Sequence, residues 1–136
     1  MKTKKMTKQE KQEKGAKYEK YISEFFKKQG YTTWNHGEEK GVKDRGIDLM
    51  MKKGRTFYFI QCKNWDKWKV DHNLVKATRM DVIDYLDDNQ FLKNLLDTNY
   101  TYKIVYVTSK NCLTAGAKTY INKQETMDYQ VIPFEE

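Results

Sequence analysis

Two neighbouring apolar runs, at residues 47–51 and 56–62, constrain the fold of this chain more than any other feature. The second run is rich in aromatic residues and isoleucine, which favour β-strands. Lys52, Lys53 and Gly54 lie between the runs, and such a sequence is typical of a tight turn. The pattern therefore predicts a β-hairpin whose two strands lie side by side.

Three polar residues on this hairpin are candidates for chemistry. Side chains alternate between the two faces of a strand, so Gln61 and Lys63 point the same way, and Asp48 would lie beside them on the first strand. A carboxylate and an amide oxygen are hard donors suited to Mg²⁺ or Mn²⁺. Lys63 could orient a water and offset charge on a phosphate. Each residue alone also has an ordinary structural explanation, but their co-location favours phosphodiester cleavage.

The composition indicates one soluble globular domain. The chain has 136 residues, of which 38% are hydrophobic and 33% charged. No apolar run approaches the roughly 20 residues of a membrane span, and the lysine-rich N-terminus lacks the apolar segment of a signal peptide. We therefore expect a cytoplasmic protein with no membrane partner. Cys62 and Cys112 are too few for a disulfide framework, so reduced thiols are expected.

Positive charge is concentrated at the N-terminus. Residues 1–29 contain ten lysines and four glutamates, which is +6 of the net charge of +7. A basic segment attracts polyanions and speeds encounter with them, although a solvated tail that only aids solubility explains the charge equally well. We expect residues 1–14 to form a flexible basic arm and residues 15–136 to form a single domain.

The spacing of apolar residues predicts the remaining elements. They are a helix at 9–29, a short strand at 31–34, one long helix or two consecutive helices at 71–96 with a break at Asn89, a strand at 102–108, a helix at 114–123 and a strand at 129–132. The strand at 102–108 is apolar on both faces, as in an interior parallel strand. The order α-β-β-β-α-β-α-β predicts an α/β fold, with a central mixed sheet flanked by helices.

Three other residues have two interpretations each. Glu19 lies on or beside the apolar face of the first helix, where it either needs a partner or extends from the edge of that face to solvent. Trp65, close to Lys67 and Lys69, either stacks on an unpaired base or packs against a helix. His36 either contacts a phosphate or is simply exposed.

Several segments together resemble the catalytic core of Mrr-type restriction endonucleases, in the PD-(D/E)xK nuclease superfamily with glutamine at the middle position. They are Gly15-Ala16-Lys17-Tyr18-Glu19-Lys20, Gly30-Tyr31, Lys43-Asp44-Arg45-Gly46-Ile47-Asp48-Leu49, Phe59-Ile60-Gln61-Cys62-Lys63, Ile104-Val105-Tyr106-Val107-Thr108-Ser109 and Ala115-Gly116-Ala117-Lys118. The likeness spans about residues 15–132, and it implies a restriction-endonuclease-like fold.

The resemblance implies a role for each matching residue. Asp48 corresponds to the principal metal ligand, and Gln61 to the second ligand, with the main-chain carbonyl of Cys62 completing the coordination of Mg²⁺, for which Mn²⁺ would substitute. Lys63 corresponds to the lysine that positions the water, and Glu19 to the first-helix glutamate that contacts metal or water. Glutamine in place of an acid should hold Mg²⁺ more weakly.

The implied activity is metal-dependent cleavage of DNA. The residues we predict to contact DNA are Lys17, Lys43, Arg45, Trp65, Lys67 and Lys69. Asp44 either belongs to the site or stabilises a turn. A homodimer is also expected as a candidate assembly. Two alternatives remain open: a structure-selective nuclease similar to Holliday junction resolvases, and a DNA-binding subunit that keeps the fold without turnover. An RNA-directed enzyme is a third possibility.

Overall fold

The first helix of the structure, a computed structural model, contains several of the N-terminal lysines. The structure describes residues 7–34, 47–65 and 69–134, without the side chains of residues 11 and 12. Helix α1 spans Lys8–Lys27 and begins at Thr7, whose side chain accepts a hydrogen bond from the main-chain N–H of Glu10. Thr7 thereby satisfies one of the otherwise unpaired N–H groups at the helix start. The predicted boundary between arm and domain, after residue 14, lies inside α1.

In the described part of the chain, five strands and three further helices follow α1. They are β1 (Thr32–Trp34), β2 (Leu49–Lys53), β3 (Thr56–Lys63), α2 (His72–Asp88), α3 (Gln90–Leu96), β4 (Thr101–Thr108), α4 (Ala115–Asn122) and β5 (Met127–Val131). The predicted break at Asn89 is confirmed. The side-chain oxygen of Asn89 accepts from the N–H of Leu92, so the same residue ends α2 and begins α3.

The strands form one mixed sheet in the order β1-β2-β3-β4-β5. The pairs β1–β2 and β2–β3 are antiparallel, whereas β3–β4 and β4–β5 are parallel. This confirms the predicted fold class and the interior, parallel position of β4. The hairpin turn lies later than predicted, at Gly54 and Arg55, because Lys53 still pairs with Thr56. Gly54 has a φ of +62° there, which glycine adopts without strain.

Helices cover both faces of the sheet. On one face, α1 buries Tyr18, Ile22 and Phe26 against the sheet residues Leu49, Met51, Ile60, Cys62, Val105 and Val107. On the other face, α2, α3 and α4 pack on Phe57, Phe59, Ile104 and Tyr106. Both cysteines are buried free thiols, as expected. In the described part of the chain, no helix is long and apolar enough to cross a membrane.

A buried hydrogen bond ties α1 to the end of the chain's last strand. The hydroxyl of Tyr18, which is fully buried, donates to the main-chain oxygen of Ile132 at 2.9 Å. Ile132 follows β5, and its own N–H donates to the oxygen of Thr108 at the end of β4. These bonds hold α1, and with it Glu19, against the end of the sheet where β3 and β4 finish.

Candidate functional site

Asp48 lies one residue before β2, which begins at Leu49 and not at residue 47 as predicted. Its main-chain N–H donates to the oxygen of Ile60 at 3.0 Å. Its side-chain Oδ2 accepts from the main-chain N–H of Cys62 at 2.9 Å. Because Asp48 precedes the regular ladder, its carboxylate is free to reach along the end of β3. Gln61 lies between the two residues of β3 that bond to Asp48.

The Asp48 carboxyl is half-buried, and its burial raises its pKa above the usual value of 3.8. Three neighbours act in the opposite direction and favour the ionised form: the N–H of Cys62, the positive charge of Lys63 and a hydrogen bond with Glu19. The net effect is a raised pKa, because burial is the largest influence.

Glu19 lies on α1 close enough to Asp48 to influence the pKa of the Asp48 carboxyl, which favours the interpretation in which Glu19 has a partner. The two carboxyl groups therefore lie near each other at this end of the sheet. Glu19 is half-buried, between the fully buried Tyr18 and exposed Lys20. Two neighbouring carboxyl groups offer the hard oxygen donors that a divalent cation binds.

Gln61 presents an unusual oxygen at this end of the sheet. The residue is 7% exposed, and its Oε1 is buried without a hydrogen-bond partner among the described residues. Buried side-chain acceptors are nearly always paired, so an unpaired one requires an explanation. Gln61 is the register partner of Tyr106 on β4. Burial chiefly raises the pKa of Tyr106 to about 12, with Asp48 among the smaller causes.

The main-chain oxygen of Cys62 faces the same edge as the Asp48 carboxylate. The N–H and C=O of one strand residue point to the same side, and the N–H of Cys62 bonds to Asp48. The thiol lies instead among the residues under α1. Burial, with the charges of Asp48 and Glu19, raises the pKa of the Cys62 thiol. Its sulfur is therefore a protonated thiol rather than a thiolate ligand, and the carbonyl is the donor available for a hard cation.

Lys63 ends β3 and points to the same face of the strand as Gln61. Its main-chain oxygen accepts from the N–H of Ser109 at 3.1 Å, and its Nζ lies 4.9 Å from the centre of the Trp65 ring. Its charge reaches Asp48, where it favours the ionised carboxylate. The structure thus brings Glu19, Asp48, Gln61 and Lys63 to one end of the sheet.

The donors at this end are suited to a divalent cation, and the unpaired Gln61 oxygen is the observation that carries the fit. Within the described ranges, no three His, Cys, Asp or Glu side chains cluster closely enough to hold a metal ion. A cation here would therefore depend on an amide and a main-chain oxygen as well as the carboxyls of Asp48 and Glu19. An all-oxygen set is the kind that Mg²⁺ and Mn²⁺ prefer.

The residues predicted to contact DNA are only partly described. Lys17 is exposed on α1, two residues before Glu19, and Lys69 is exposed before the buried Val70. Trp65 is half-buried and packs against the core under α2, α3 and α4, in agreement with its structural interpretation. The predicted contacts Lys43, Arg45 and Lys67, together with His36 and Asp44, lie outside the described residues.

Sequence reasoning missed the pair formed by Asn64 and Ser109. The hydroxyl of Ser109 donates to the side-chain oxygen of Asn64 at 2.5 Å, which joins the end of β3 to the end of β4. Ser109 is buried. The signal in the sequence is that polar residues follow directly after the apolar runs of β3 and β4.

The chain was compared with known proteins at the level of family, individual sequence and solved structure. The family model Mrr_cat, described as restriction endonuclease, matches residues 11–132, which is most of the chain. No curated protein and no solved structure gives a significant match.

Proposed function

The chain belongs to the Mrr-type restriction endonuclease family, and from this membership we propose that it is a metal-dependent endonuclease that hydrolyses phosphodiester bonds in DNA. The resemblance found in the sequence motifs is therefore confirmed at the level of the family. The observation that carries the finer proposal is the buried, unpaired Oε1 of Gln61, which lies between the two β3 residues that bond to Asp48 and two residues before Lys63.

In this proposal, Asp48, Gln61 and the carbonyl of Cys62 hold the cation, and Glu19 contributes a further carboxylate. A bound Mg²⁺ or Mn²⁺ would act as a Lewis acid towards the phosphate. Hard oxygen donors, here two carboxylates with an amide oxygen and a main-chain carbonyl oxygen, suit this ion. With glutamine at position 61 the site has one charge fewer than with an acid, so we expect weak Mg²⁺ binding.

Lys63 is proposed to position the attacking water and to offset the negative charge that develops on the phosphate. Its fixed place at the end of β3, two residues beyond Gln61, keeps the ammonium near the carboxylate that binds the cation. Water would attack in line with the leaving oxygen. Because Gln61 and Lys63 lie two residues apart on the same face of β3, a cation held by Gln61 and Asp48 and the Lys63 ammonium would be able to act on the same phosphate.

The proposed DNA path follows the positive residues around the site. Lys17 is exposed on α1 near Glu19, and Lys69 is exposed beyond Lys63. Lys43, Arg45 and Lys67 stay predictions made from the sequence. Cations near a phosphate backbone raise affinity in a salt-dependent manner without reading sequence. A homodimer, also a prediction, would supply two sites for the two strands of a duplex.

The direct test is incubation of the purified protein with supercoiled plasmid, linear duplex and a four-way junction, with Mg²⁺, with Mn²⁺ or with EDTA. We expect metal-dependent nicking of plasmid, and its loss in Asp48→Ala. The matched control is Asp128→Ala, since Asp128 is an exposed aspartate on β5. Undiminished cleavage by correctly folded Asp48→Ala protein would rule out the assignment.

The same panel separates the alternatives. Cleavage confined to the four-way junction would favour a structure-selective nuclease. Binding of DNA that does not require metal, with no cleavage of any substrate, would favour a non-catalytic subunit. Adding a single-stranded RNA and an RNA duplex to the panel distinguishes an RNA-directed enzyme.

A further inference from the structure

We propose that Trp65 is a positioning residue that holds the Lys63 ammonium in place through its ring. This inference rests on the proposed function, in which Lys63 lies beside the attacking water. The Nζ of Lys63 is 4.9 Å from the centre of the Trp65 ring. An ammonium within about 6 Å of an indole face is attracted by the ring's quadrupole, and tryptophan gives the strongest such interaction among the aromatic residues.

Lys63 needs such a restraint because of the nature of its side chain. A lysine ammonium is a point charge on a flexible four-carbon stem, unlike the planar and rigid arginine fork. Among the described residues, the Nζ of Lys63 makes no hydrogen bond or ion pair, and the ring of Trp65 is the group that it contacts. The charge of Asp48 acts on Lys63 without a direct bond between them. The ring therefore restricts where the ammonium lies.

The position of Trp65 is itself fixed from two sides. Its ring packs against the core under α2, α3 and α4, which leaves it half-buried. The residue before it, Asn64, accepts the 2.5 Å hydrogen bond from the Ser109 hydroxyl. The N–H of Ser109 donates to the main-chain oxygen of Lys63. Ser109, directly after β4, thus binds both Lys63 and Asn64, the two residues that precede Trp65.

This role differs from the base-stacking role that the sequence suggested for Trp65. A stacking residue contributes to DNA affinity, whereas a residue that positions Lys63 contributes to the rate of the bound complex. A misplacement of about 1 Å in a reacting group can lower a rate by roughly 10²-fold. The two roles therefore predict opposite effects on the dissociation constant and on the turnover rate.

The test compares Trp65→Leu, which removes the ring, with Trp65→Phe, which keeps an aromatic face. We expect Trp65→Leu to lower the single-turnover rate at saturating DNA by about 10-fold to 10²-fold, with the DNA dissociation constant unchanged. Trp65→Phe should recover much of the lost rate. The matched control is Tyr120→Leu. Tyr120 is a half-buried aromatic residue on α4, and the Nζ of Lys76 lies 5.6 Å from the centre of its ring. That control should cleave at the wild-type rate.

A weakened dissociation constant with an unchanged rate in Trp65→Leu would overturn the proposal in favour of base stacking. A second measurement needs no variant, DNA or metal. The ε-methylene protons of Lys63 should show an upfield ring-current shift in the NMR spectrum of the wild-type protein, and ordinary lysine shifts there would also overturn the proposal. A wild-type protein that shows the ring-current shift but cleaves no DNA would refute the proposed function and leave the Trp65–Lys63 contact standing.

Discussion

Replacing Gln61 with leucine is expected to stabilise the metal-free protein and to remove its response to Mg²⁺. Gln61 is 7% exposed, and its buried Oε1 has no hydrogen-bond partner within the described residues. Leaving a buried acceptor unpaired costs about 1–3 kcal/mol. Leucine is close in size to glutamine and has no polar atom, and the neighbouring position on β4 is occupied by the ring-bearing Tyr106. The surroundings therefore suit an apolar side chain.

The expected change in the free energy of unfolding of Gln61→Leu follows from two opposing contributions. Removal of the unpaired oxygen should stabilise the folded protein by about 1–3 kcal/mol. The change of side-chain shape in a packed interior usually destabilises it by less than about 1.5 kcal/mol. The net expectation is a gain of about 1 kcal/mol in the free energy of unfolding. For a domain of this size, such a gain corresponds to a rise of about 3–5 °C in Tm.

The assay is urea denaturation of wild-type and Gln61→Leu protein, each in EDTA and in a series of Mg²⁺ concentrations. A ligand that binds only the folded state stabilises it by RT ln(1 + [L]/Kd). Wild-type protein should gain stability as Mg²⁺ rises, and Gln61→Leu should gain little. A companion variant, Gln61→Glu, keeps an oxygen and adds a charge near Asp48, so it should be less stable in EDTA and gain more from Mg²⁺.

Two results would refute this reasoning. A loss of more than about 1 kcal/mol in Gln61→Leu without metal would mean that the glutamine amide makes a stabilising hydrogen bond after all. An undiminished Mg²⁺ response in Gln61→Leu would mean that the Gln61 oxygen is not a ligand. The equilibrium m-value should be the same in all variants, since a changed m-value would indicate a different unfolded or native state.

Three further predictions concern Asp48, Lys63 and Tyr18. The pKa of Asp48 is raised above 3.8 in the folded protein. Without metal, the protonated Asp48 carboxyl therefore contributes its full share to the free energy of unfolding below pH 3.8, and this share is lost as pH rises through the folded pKa. In urea titrations in EDTA, Asp48→Asn should lack this pH-dependent loss of stability. Lys63→Met should lower the single-turnover rate by at least about 10²-fold, with little change in DNA affinity measured by fluorescence anisotropy. Tyr18→Phe removes the buried bond to the oxygen of Ile132 and should lower the free energy of unfolding by about 1–2 kcal/mol, measured by urea denaturation; an unchanged value would show that this oxygen is hydrated.

Most of the fold could be predicted from local patterns in the sequence. The spacing of apolar residues predicted every helix and strand of the described residues to within a few positions. Asn89 indicated the division between α2 and α3 because its side chain can cap a helix. The alternation of side chains along β3 also placed Gln61 and Lys63 on one face. These features depend on sequence spacing alone.

Other features of the site depend on contacts between distant elements. Periodicity placed Glu19 on or beside the apolar face of α1, but its proximity to Asp48 depends on how α1 packs over the sheet. The start of β2 at Leu49 likewise depends on strand register, and it releases the Asp48 carboxylate to reach the N–H of Cys62. The contact of Trp65 with Lys63 depends on side-chain conformation, which no spacing rule gives.

Two features at this end of the sheet destabilise the metal-free protein together. The Asp48 carboxyl is buried enough to raise its pKa, and the buried oxygen of Gln61 has no hydrogen-bond partner among the described residues. Apolar side chains of similar shape would avoid each of these penalties. A protein that only binds DNA has no use for them, because phosphate contacts come from exposed cations such as Lys17. The Asp48 carboxylate and the Gln61 oxygen would both gain a partner if a divalent cation bound here. The occurrence of both penalties at one end of the sheet supports the proposal of metal-dependent catalysis rather than that of a DNA-binding subunit without turnover.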